Sequence, residues 1–162
     1  MRTVYIVVLA FLTYAVSAET IEGKIIDVID GNTFEVLTKE KEKITFMLFD
    51  VDSPEIGQEY GEEAKSFVTK VVLKKKVIIK TKGKDRWGNK LAQISLRNGD
   101  DLSEILVKSG LAWVGERYQS IASLKTLEST AKDNTLGMWQ SEEIMSPWVY
   151  RRKQTMLRAK SR

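Results

Sequence analysis

Five short segments rich in β-branched residues, with one helical segment after the third, constrain the fold of this 162-residue chain more than any other feature. Each segment alternates apolar and polar residues or ends at turn residues, as half-buried strands do. The predicted strands are 21–29, 33–37, 44–51, 76–80 and 91–96. This order predicts a mainly β domain of the α+β class, built on a five-stranded Greek-key barrel of the OB type.

Three segments have the apolar spacing of helices and complete the predicted fold. The first, 58–73, lies between the third and fourth strands. The second begins near Asp101, which together with Glu104 resembles a capping box, and ends before Gly110, which suits a left-handed cap. The third covers 121–135. We therefore expect three helices against the barrel.

The first eighteen residues have the pattern of a secretory signal peptide. Arg2 supplies a positive charge, residues 5–16 are apolar, and the small residues at 16–18 predict cleavage before Glu19. The apolar stretch is short for a helix that spans a bilayer. We expect a secreted or periplasmic protein with no membrane association after cleavage. A retained membrane anchor is the alternative.

The rest of the chain is long enough for one domain with its own core. We expect residues 19–145 to form this domain as a monomer and residues 146–162 to form a basic tail without acidic residues. The tail either touches phosphate groups or is a solvated terminus with Trp148 docked on the domain. The formal net charge of +4 is compatible with nucleic acid or another polyanion as a partner but does not identify one.

The absence of cysteine and histidine limits the chemistry of the chain. Disulfides, most zinc, haem and iron–sulfur sites, the Ser-His-Asp triad and cysteine nucleophiles are excluded. A metal ion in this protein would be bound by oxygen atoms, and calcium or magnesium would suit such a site.

The third predicted strand ends in a distinctive acidic corner, Asp52-Ser53-Pro54-Glu55. Pro54 cannot donate a hydrogen bond to a sheet and restricts the residue before it. A rigid corner of this kind can aim the Asp52 and Glu55 carboxylates at one point, which suits a hard cation such as calcium. The alternative is a solvated acidic turn.

Six blocks of the sequence, all in order, resemble the staphylococcal nuclease-like (thermonuclease-like) family. They are Asp30-Gly31-Asn32-Thr33, Asp52-Ser53-Pro54-Glu55, Tyr60-Gly61-Glu62-Glu63-Ala64, Asp85-Arg86-Trp87-Gly88-Asn89, 106–113 and Leu136-Gly137-Met138-Trp139. The resemblance covers about 21–139. It implies an OB barrel with packed helices and calcium-dependent cleavage of DNA and RNA phosphodiesters by an activated water.

The resemblance also implies roles for the acidic corner. Asp52 matches a calcium-binding aspartate, Ser53 a residue whose main-chain carbonyl binds calcium, and Glu55 the glutamate that activates water. Asn32 replaces a second calcium-binding aspartate, so the site loses a charge and is expected to bind calcium more weakly. Asp50 is predicted to restore this charge, because alternate residues of a strand share a face. Its alternative role is a partly buried acid satisfied by backbone donors.

The two arginines that neutralise the phosphate in the family are replaced here by Met47 and Asn89. An arginine in this role is worth about 10³–10⁵ in rate in other phosphoryl-transfer enzymes. Met47 has no donor and Asn89 has a neutral amide, so we expect weak or absent phosphodiesterase activity. Arg86 is a candidate replacement.

Candidate nucleic-acid-binding residues follow the fourth strand. Trp87 is expected to stack on a base or to cover the barrel mouth, and Arg86 to approach a phosphate. Lys82 and Lys84 continue a stripe from Lys80, or are simply solvated. The leading prediction is an exported domain that binds nucleic acid or another polyanion with weak or no cleavage. The alternatives are a working calcium-dependent endonuclease and an envelope interaction protein without nucleic acid.

Overall fold

A computed structural model describes residues 20–115 and 121–161, so the predicted signal peptide lies outside the described residues. Five strands close a barrel in the order β1-β2-β3-β6-β5, and two short strands, β4 and β7, pair separately. The strands are β1 (Thr20–Val28), β2 (Thr33–Thr38), β3 (Lys43–Leu48), β4 (Val51–Asp52), β5 (Lys76–Lys84), β6 (Lys90–Leu96) and β7 (Trp113–Val114). The contact between β3 and β6 is parallel and the other barrel pairs are antiparallel. The predicted five-stranded barrel is confirmed.

The described residues form four α-helices, one more than predicted. They are α1 (Gly61–Val72), α2 (Leu102–Lys108), α3 (Ala122–Asp133) and α4 (Pro147–Lys160), and a short 3₁₀ helix spans Gly137–Gln140. The additional helix, α4, is the segment expected to be a basic tail. It begins with a proline at its first position, which favours helix initiation. Residues 151–155 are all polar, so no continuous apolar stripe runs along α4 and the sequence pattern did not predict this helix.

The core lies between the barrel and helices α1 and α2. Phe34, Phe46 and Ile94 fill the barrel and are at most 1% exposed. Val68 of α1 and Leu106 of α2 are equally buried and close the barrel from outside. Each such side chain contributes about 1.5–3 kcal/mol to folding relative to an exposed position. This packed core holds the strands and helices in place, and with them the turns and loops that connect them at the surface.

A bend at residues 49 and 50 divides the predicted third strand into two. β3 remains in the barrel, whereas β4 leaves it and pairs with β7, with Val51 opposite Val114 and Asp52 opposite Trp113. The acidic corner therefore projects from a two-stranded ribbon beside the barrel. Within the described segments, no helix combines the length and apolar character needed to cross a membrane.

Candidate functional site

The turn between β1 and β2 meets the end of β4. The Asn32 backbone N–H donates to the Asp30 carboxylate at 2.9 Å and holds the turn. The Ser53 backbone N–H donates to the Asn32 side-chain oxygen at 3.4 Å. A Cβ atom on Gly31 would lie 2.5 Å from the Ser53 Cβ, so only glycine allows this approach. The structure thus brings Asn32, Ser53 and Asp52 together, as the resemblance implies.

Arg151 of helix α4 joins this group, which the sequence did not predict. Its Nη2 donates to Asp52 Oδ2 at 2.6 Å, and its Nη1 donates to Asp52 Oδ1 at 3.1 Å and to Glu55 Oε1 at 2.5 Å. The guanidinium therefore grips Asp52 with both arms of its planar fork, the strongest geometry for an arginine–carboxylate pair. It also bridges the two carboxylates whose implied roles, from the family resemblance, are calcium binding for Asp52 and water activation for Glu55.

Contacts of its own hold the first turn of α4 beside the acidic corner. The Tyr150 hydroxyl donates to the Gly57 carbonyl oxygen at 3.1 Å. The Trp148 ring packs edge-on against Trp113, with ring centroids 6.4 Å apart. Ahead of the helix, the Gln58 side-chain amide donates to the Met145 carbonyl oxygen. The tail is thus docked through Trp148, and Arg151 is also placed within reach of the carboxylates.

Burial and charge act in opposite directions on Asp52. Burial raises the pKa of its carboxyl group, and the nearby Asp30 charge acts in the same sense, while Arg151 opposes both through hydrogen bonding and charge. The hydrogen bonds to Asp52 in turn raise the pKa of Arg151 above its ordinary value. The guanidinium is therefore a permanent cation that compensates a partly desolvated carboxylate.

A cleft of about 610 Å³ opens above this corner. Its lining includes Asp52, Glu55, Met47, Asn89 and Arg151. Both residues that replace the expected arginines thus border the same space as the carboxylates. Asn89 is not directed across the cleft, because its side-chain amide donates to Asp85 Oδ2 at 2.8 Å and closes the β5–β6 turn.

Arg86 and Trp87 line the same cleft, and their roles in nucleic-acid binding stay predictions. The Trp87 side chain is 70% exposed, and the Arg86 guanidinium carbon lies 3.9 Å from the centre of its ring. This cation–π contact holds Arg86 against the indole ring. The alternative in which Trp87 covers the barrel mouth does not agree with this exposure.

Lys82 and Lys84 line a separate groove of about 950 Å³, and they do not border the cleft. Thr81 pairs with Ala92 and Gly83 pairs with Leu91, which leaves Lys82 as the extra residue of a β-bulge. The bulge reverses the alternation beyond it, so Lys80 and Lys84 no longer share a face. The regular lysine stripe expected from the sequence is therefore broken.

The Asp50 carboxylate bonds to helix α2, in contrast to the hypothesis that it restores charge beside Asp52. The Ser103 hydroxyl of α2 donates to Asp50 Oδ1 at 2.6 Å, and both residues are buried. The physical reason is the bend at 49–50, which ends the two-residue period on which the hypothesis rested. Asp50 is a buried acid, as in its alternative role, but the donor to its carboxylate is the Ser103 side chain where backbone donors were expected.

Replacing Asp50 with asparagine should leave calcium affinity unchanged and alter how stability depends on pH. Burial raises the pKa of Asp50, with a further contribution from the Asp101 charge, against the Ser103 hydrogen bond. A carboxyl group with a raised pKa stabilises the fold below its ordinary value of 3.8, and this contribution is lost as the pH rises through the folded-state pKa. The asparagine side chain does not titrate. The free energy of unfolding of Asp50→Asn, relative to that of the wild type, should therefore increase as the pH rises from 4 to 7, as measured by urea unfolding. A stability difference that is constant over this range would contradict the assignment.

The oxygen atoms at the acidic corner are of the kind that calcium binds as ligands. Among residues 20–115 and 121–161, no three acidic side chains cluster tightly enough to hold a metal ion by themselves. A cation would need neutral oxygens beside Asp52, and the Asn32 amide oxygen lies there. The Ser53 hydroxyl is buried and has no hydrogen-bond partner in the described part of the chain. The ligand role of the Ser53 carbonyl stays a prediction. Hard, partly neutral oxygens of this kind suit a weak calcium site.

Comparisons with known proteins find relatives along most of this chain. The chain is 29% identical over 153 residues to an "Uncharacterized endonuclease" of Escherichia coli O157:H7, covering 94% of this chain and 99% of that protein. It is 29% identical over 140 residues to a "Micrococcal nuclease" of Shigella flexneri, covering 80% of each. It is 36% identical over 120 residues to "Staphylococcal-like nuclease CAN1" of Arabidopsis thaliana, covering 73% of this chain and 35% of that protein.

A family model points to the same group of proteins. The model described as "Staphylococcal nuclease homologue" matches residues 45–141, which is more than half of the chain. The matched region includes the acidic corner, the β5–β6 turn and helices α1 to α3. The chain therefore belongs to the staphylococcal nuclease homologue family.

Proposed function

We propose that this protein is a nuclease-type domain that binds single-stranded nucleic acid in the cleft and hydrolyses its phosphodiesters slowly in the presence of calcium. One observation carries the proposal. The Arg151 guanidinium lies at the Asp52 and Glu55 carboxylates, so the cleft contains a cation although Met47 and Asn89 replace the arginines expected there. The names of the relatives, which include an endonuclease and a micrococcal nuclease, support the same reaction class.

The proposed roles follow from the chemistry of each side chain. Asp52, Asn32 and the Ser53 carbonyl would hold calcium. Bound there, calcium would supply positive charge to a phosphate oxygen. Glu55 would orient the attacking water and accept its proton, a role worth about 10²–10⁴ in rate. Trp87 offers an exposed ring on which a base can stack, as aromatic side chains do in OB-type domains that bind single strands.

Low activity is part of the proposal because this cleft is poor in free cationic donors. The charge that builds on a phosphate during transfer is best neutralised by an arginine fork. Met47 offers no donor, and the Asn89 amide is engaged with Asp85. Arg151 is paired with two carboxylates. A site with fewer positive charges would bind phosphate more weakly. The neutral Asn32 amide in place of a carboxylate would weaken calcium binding, and extracellular calcium modules work with dissociation constants of about 10⁻⁴–10⁻³ M.

Nucleic-acid binding without hydrolysis is the second candidate. It is favoured by the two-armed pairing of Arg151 with Asp52, since this pairing occupies both oxygens of the carboxylate that would hold calcium. In this case the exposed Trp87 ring and the basic residues of α4 would provide the binding surface.

Cleavage of a single-stranded DNA oligonucleotide by the purified full chain in millimolar calcium tests the proposal. We expect slow, calcium-dependent cleavage that falls by about 10²-fold or more in Glu55→Gln. Glu62→Gln, an exposed residue in the first turn of α1, is the matched control and should cleave at the wild-type rate. The Glu55 variant also excludes a contaminating nuclease, whose activity would be equal in all preparations.

The other outcomes separate the candidates. Binding without cleavage, with an affinity that falls steeply as salt increases, would favour the second candidate. If the oligonucleotide does not bind with or without calcium, both candidates are wrong, and an interaction protein of the envelope becomes the better hypothesis.

A further inference from the structure

We propose that Arg151 exchanges partners when calcium binds: it caps Asp52 and Glu55 in the calcium-free protein and moves to the nucleic-acid phosphate in the calcium-bound protein. The phosphate half of this inference rests on the proposed function. The competition between Arg151 and calcium does not require hydrolysis. Arg151 would thus take the place of the cationic groups missing at positions 47 and 89 only when calcium is bound.

The geometry makes the two cations compete for the same carboxylate oxygens. Arg151 hydrogen-bonds to both oxygens of Asp52 and to one oxygen of Glu55. A calcium ion bound to Asp52 would need at least one of these oxygens at about 2.3–2.6 Å, so the guanidinium could not keep both of its bonds to Asp52. The two-armed pairing of Arg151 with Asp52 must therefore break when a cation binds.

The charges determine where the released guanidinium goes. Asp52 and Glu55 together carry two negative charges, and Arg151 neutralises one of them. Calcium would neutralise both, so the corner would no longer attract the guanidinium, and the ion itself would repel it. A phosphodiester entering the cleft restores a negative charge beside calcium, and an arginine fork fits its two free oxygens.

The anchoring of α4 keeps the released side chain at the cleft. Trp148 packs against Trp113, and Tyr150 bonds to the Gly57 carbonyl, and neither contact uses Asp52 or Glu55. The first turn of the helix can therefore stay in place when the guanidinium moves. The Arg151 side chain is 47% exposed, so solvent lies on one side of it and rotation is not blocked by packing.

The other arginine at the cleft is less suited to this exchange. Arg86 lies over the Trp87 ring, and its guanidinium contacts neither Asp52 nor Glu55 in the hydrogen bonds found among the described residues. Loading the corner with calcium would change none of its contacts. Arg151 is the arginine whose interactions must change when Asp52 binds a cation.

Two binding measurements on Arg151→Gln test the inference without using cleavage. Calorimetry with calcium chloride should show roughly fivefold tighter calcium binding than in the wild type, because the competing cation is gone. At saturating calcium, fluorescence anisotropy should show about tenfold weaker binding of a single-stranded phosphorothioate oligonucleotide, which resists hydrolysis. Lys108→Gln removes an exposed charge at the end of α2, outside the lining of the cleft, and should alter neither calcium binding nor, beyond a small salt-dependent effect, oligonucleotide binding.

Each other result is decisive. Unchanged or weaker calcium binding in Arg151→Gln, or no calcium binding in either protein, would overturn the exchange. Tighter calcium binding with unchanged oligonucleotide affinity would overturn the phosphate contact. Arg151 would then only compete with calcium for the carboxylates. Arg151→Lys keeps the charge without the fork, so it should recover part of the oligonucleotide affinity, which a purely structural role for Arg151 would not predict. Thermal melting of each variant verifies that it is folded. If the wild-type protein fails to cleave DNA, the result counts against the proposed function but does not affect the calcium-binding or the oligonucleotide-binding measurement.

Discussion

Gly110→Ala is expected to lower the free energy of unfolding by about 3–5 kcal/mol, a loss typical of the most damaging substitutions. Gly110 follows α2 with a φ of +68°, a conformation that costs an alanine about 1–2 kcal/mol. A Cβ atom there would lie 2.1 Å from the Leu136 carbonyl oxygen. That oxygen belongs to backbone fixed by the next residues, since the Met138 N–H donates to the Gly110 carbonyl at 2.9 Å. The chain would have to separate these two segments.

Gly99→Ala is the matched control for this prediction. Gly99 also has a positive φ, +96°, but a Cβ atom there would meet nothing within 4 Å. We expect Gly99→Ala to cost only the conformational part, about 1–2 kcal/mol. Urea unfolding of both variants measures the difference. Equal losses would show that the contact between Gly110 and Leu136 is not a source of stability.

The same contact illustrates what the sequence could predict. The blocks 106–113 and 136–139 are each recognisable, and Gly110 is recognisable as a helix cap from its position after an amphipathic segment. That the two blocks touch depends on the packing of α2 on α3 and on the segment that follows, and no local pattern contains this information.

Local periodicity predicted the barrel strands well and failed where the backbone leaves its regular geometry. The segment 44–51 was expected to be one strand, whereas the bend at 49–50 turns Asp50 toward Ser103 and sends Asp52 into a separate ribbon. The bulge at Lys82 broke the lysine stripe in the same way. In both cases a two-residue period was extended across a point where the chain does not follow it.

The sequence predicted only part of the candidate site. Asn32, Asp52 and Glu55 could be selected from the sequence because they lie in short blocks with recognisable turn chemistry. Arg151 could not, because it is 99 residues from Asp52 in a basic segment without apolar periodicity. Pro147 and Trp148 were the available signals: a helix start followed by a large aromatic residue indicates docking. They do not indicate which residue of the helix would enter the cleft.

Met47→Arg is expected to increase the calcium-dependent cleavage rate by about 10³-fold, the lower end of the range for an arginine that neutralises a transferring phosphoryl group. Met47 lies on β3, paired with Thr33 of β2 and Leu91 of β6, and it lines the cleft that contains Asp52 and Glu55. Its backbone is fixed by the barrel on both sides. A guanidinium at this position would therefore place hydrogen-bond donors in the cleft from a backbone that the barrel fixes. Arg151 lies on a surface helix and does not provide this. Initial rates on single-stranded DNA at saturating calcium measure the gain.

Three further variants separate the possible causes of such a gain. Met47→Gln adds a donor without charge and should raise the rate little, while Met47→Lys adds charge without the planar fork and should fall between the two. Asn89→Arg should help less than Met47→Arg, because it removes the amide that closes the turn with Asp85. Equal rates for Met47→Arg and Met47→Gln would mean that missing positive charge does not limit this site. The defect would then lie in the oxygen ligands around Asp52, where Asn32 supplies an amide in place of a carboxylate.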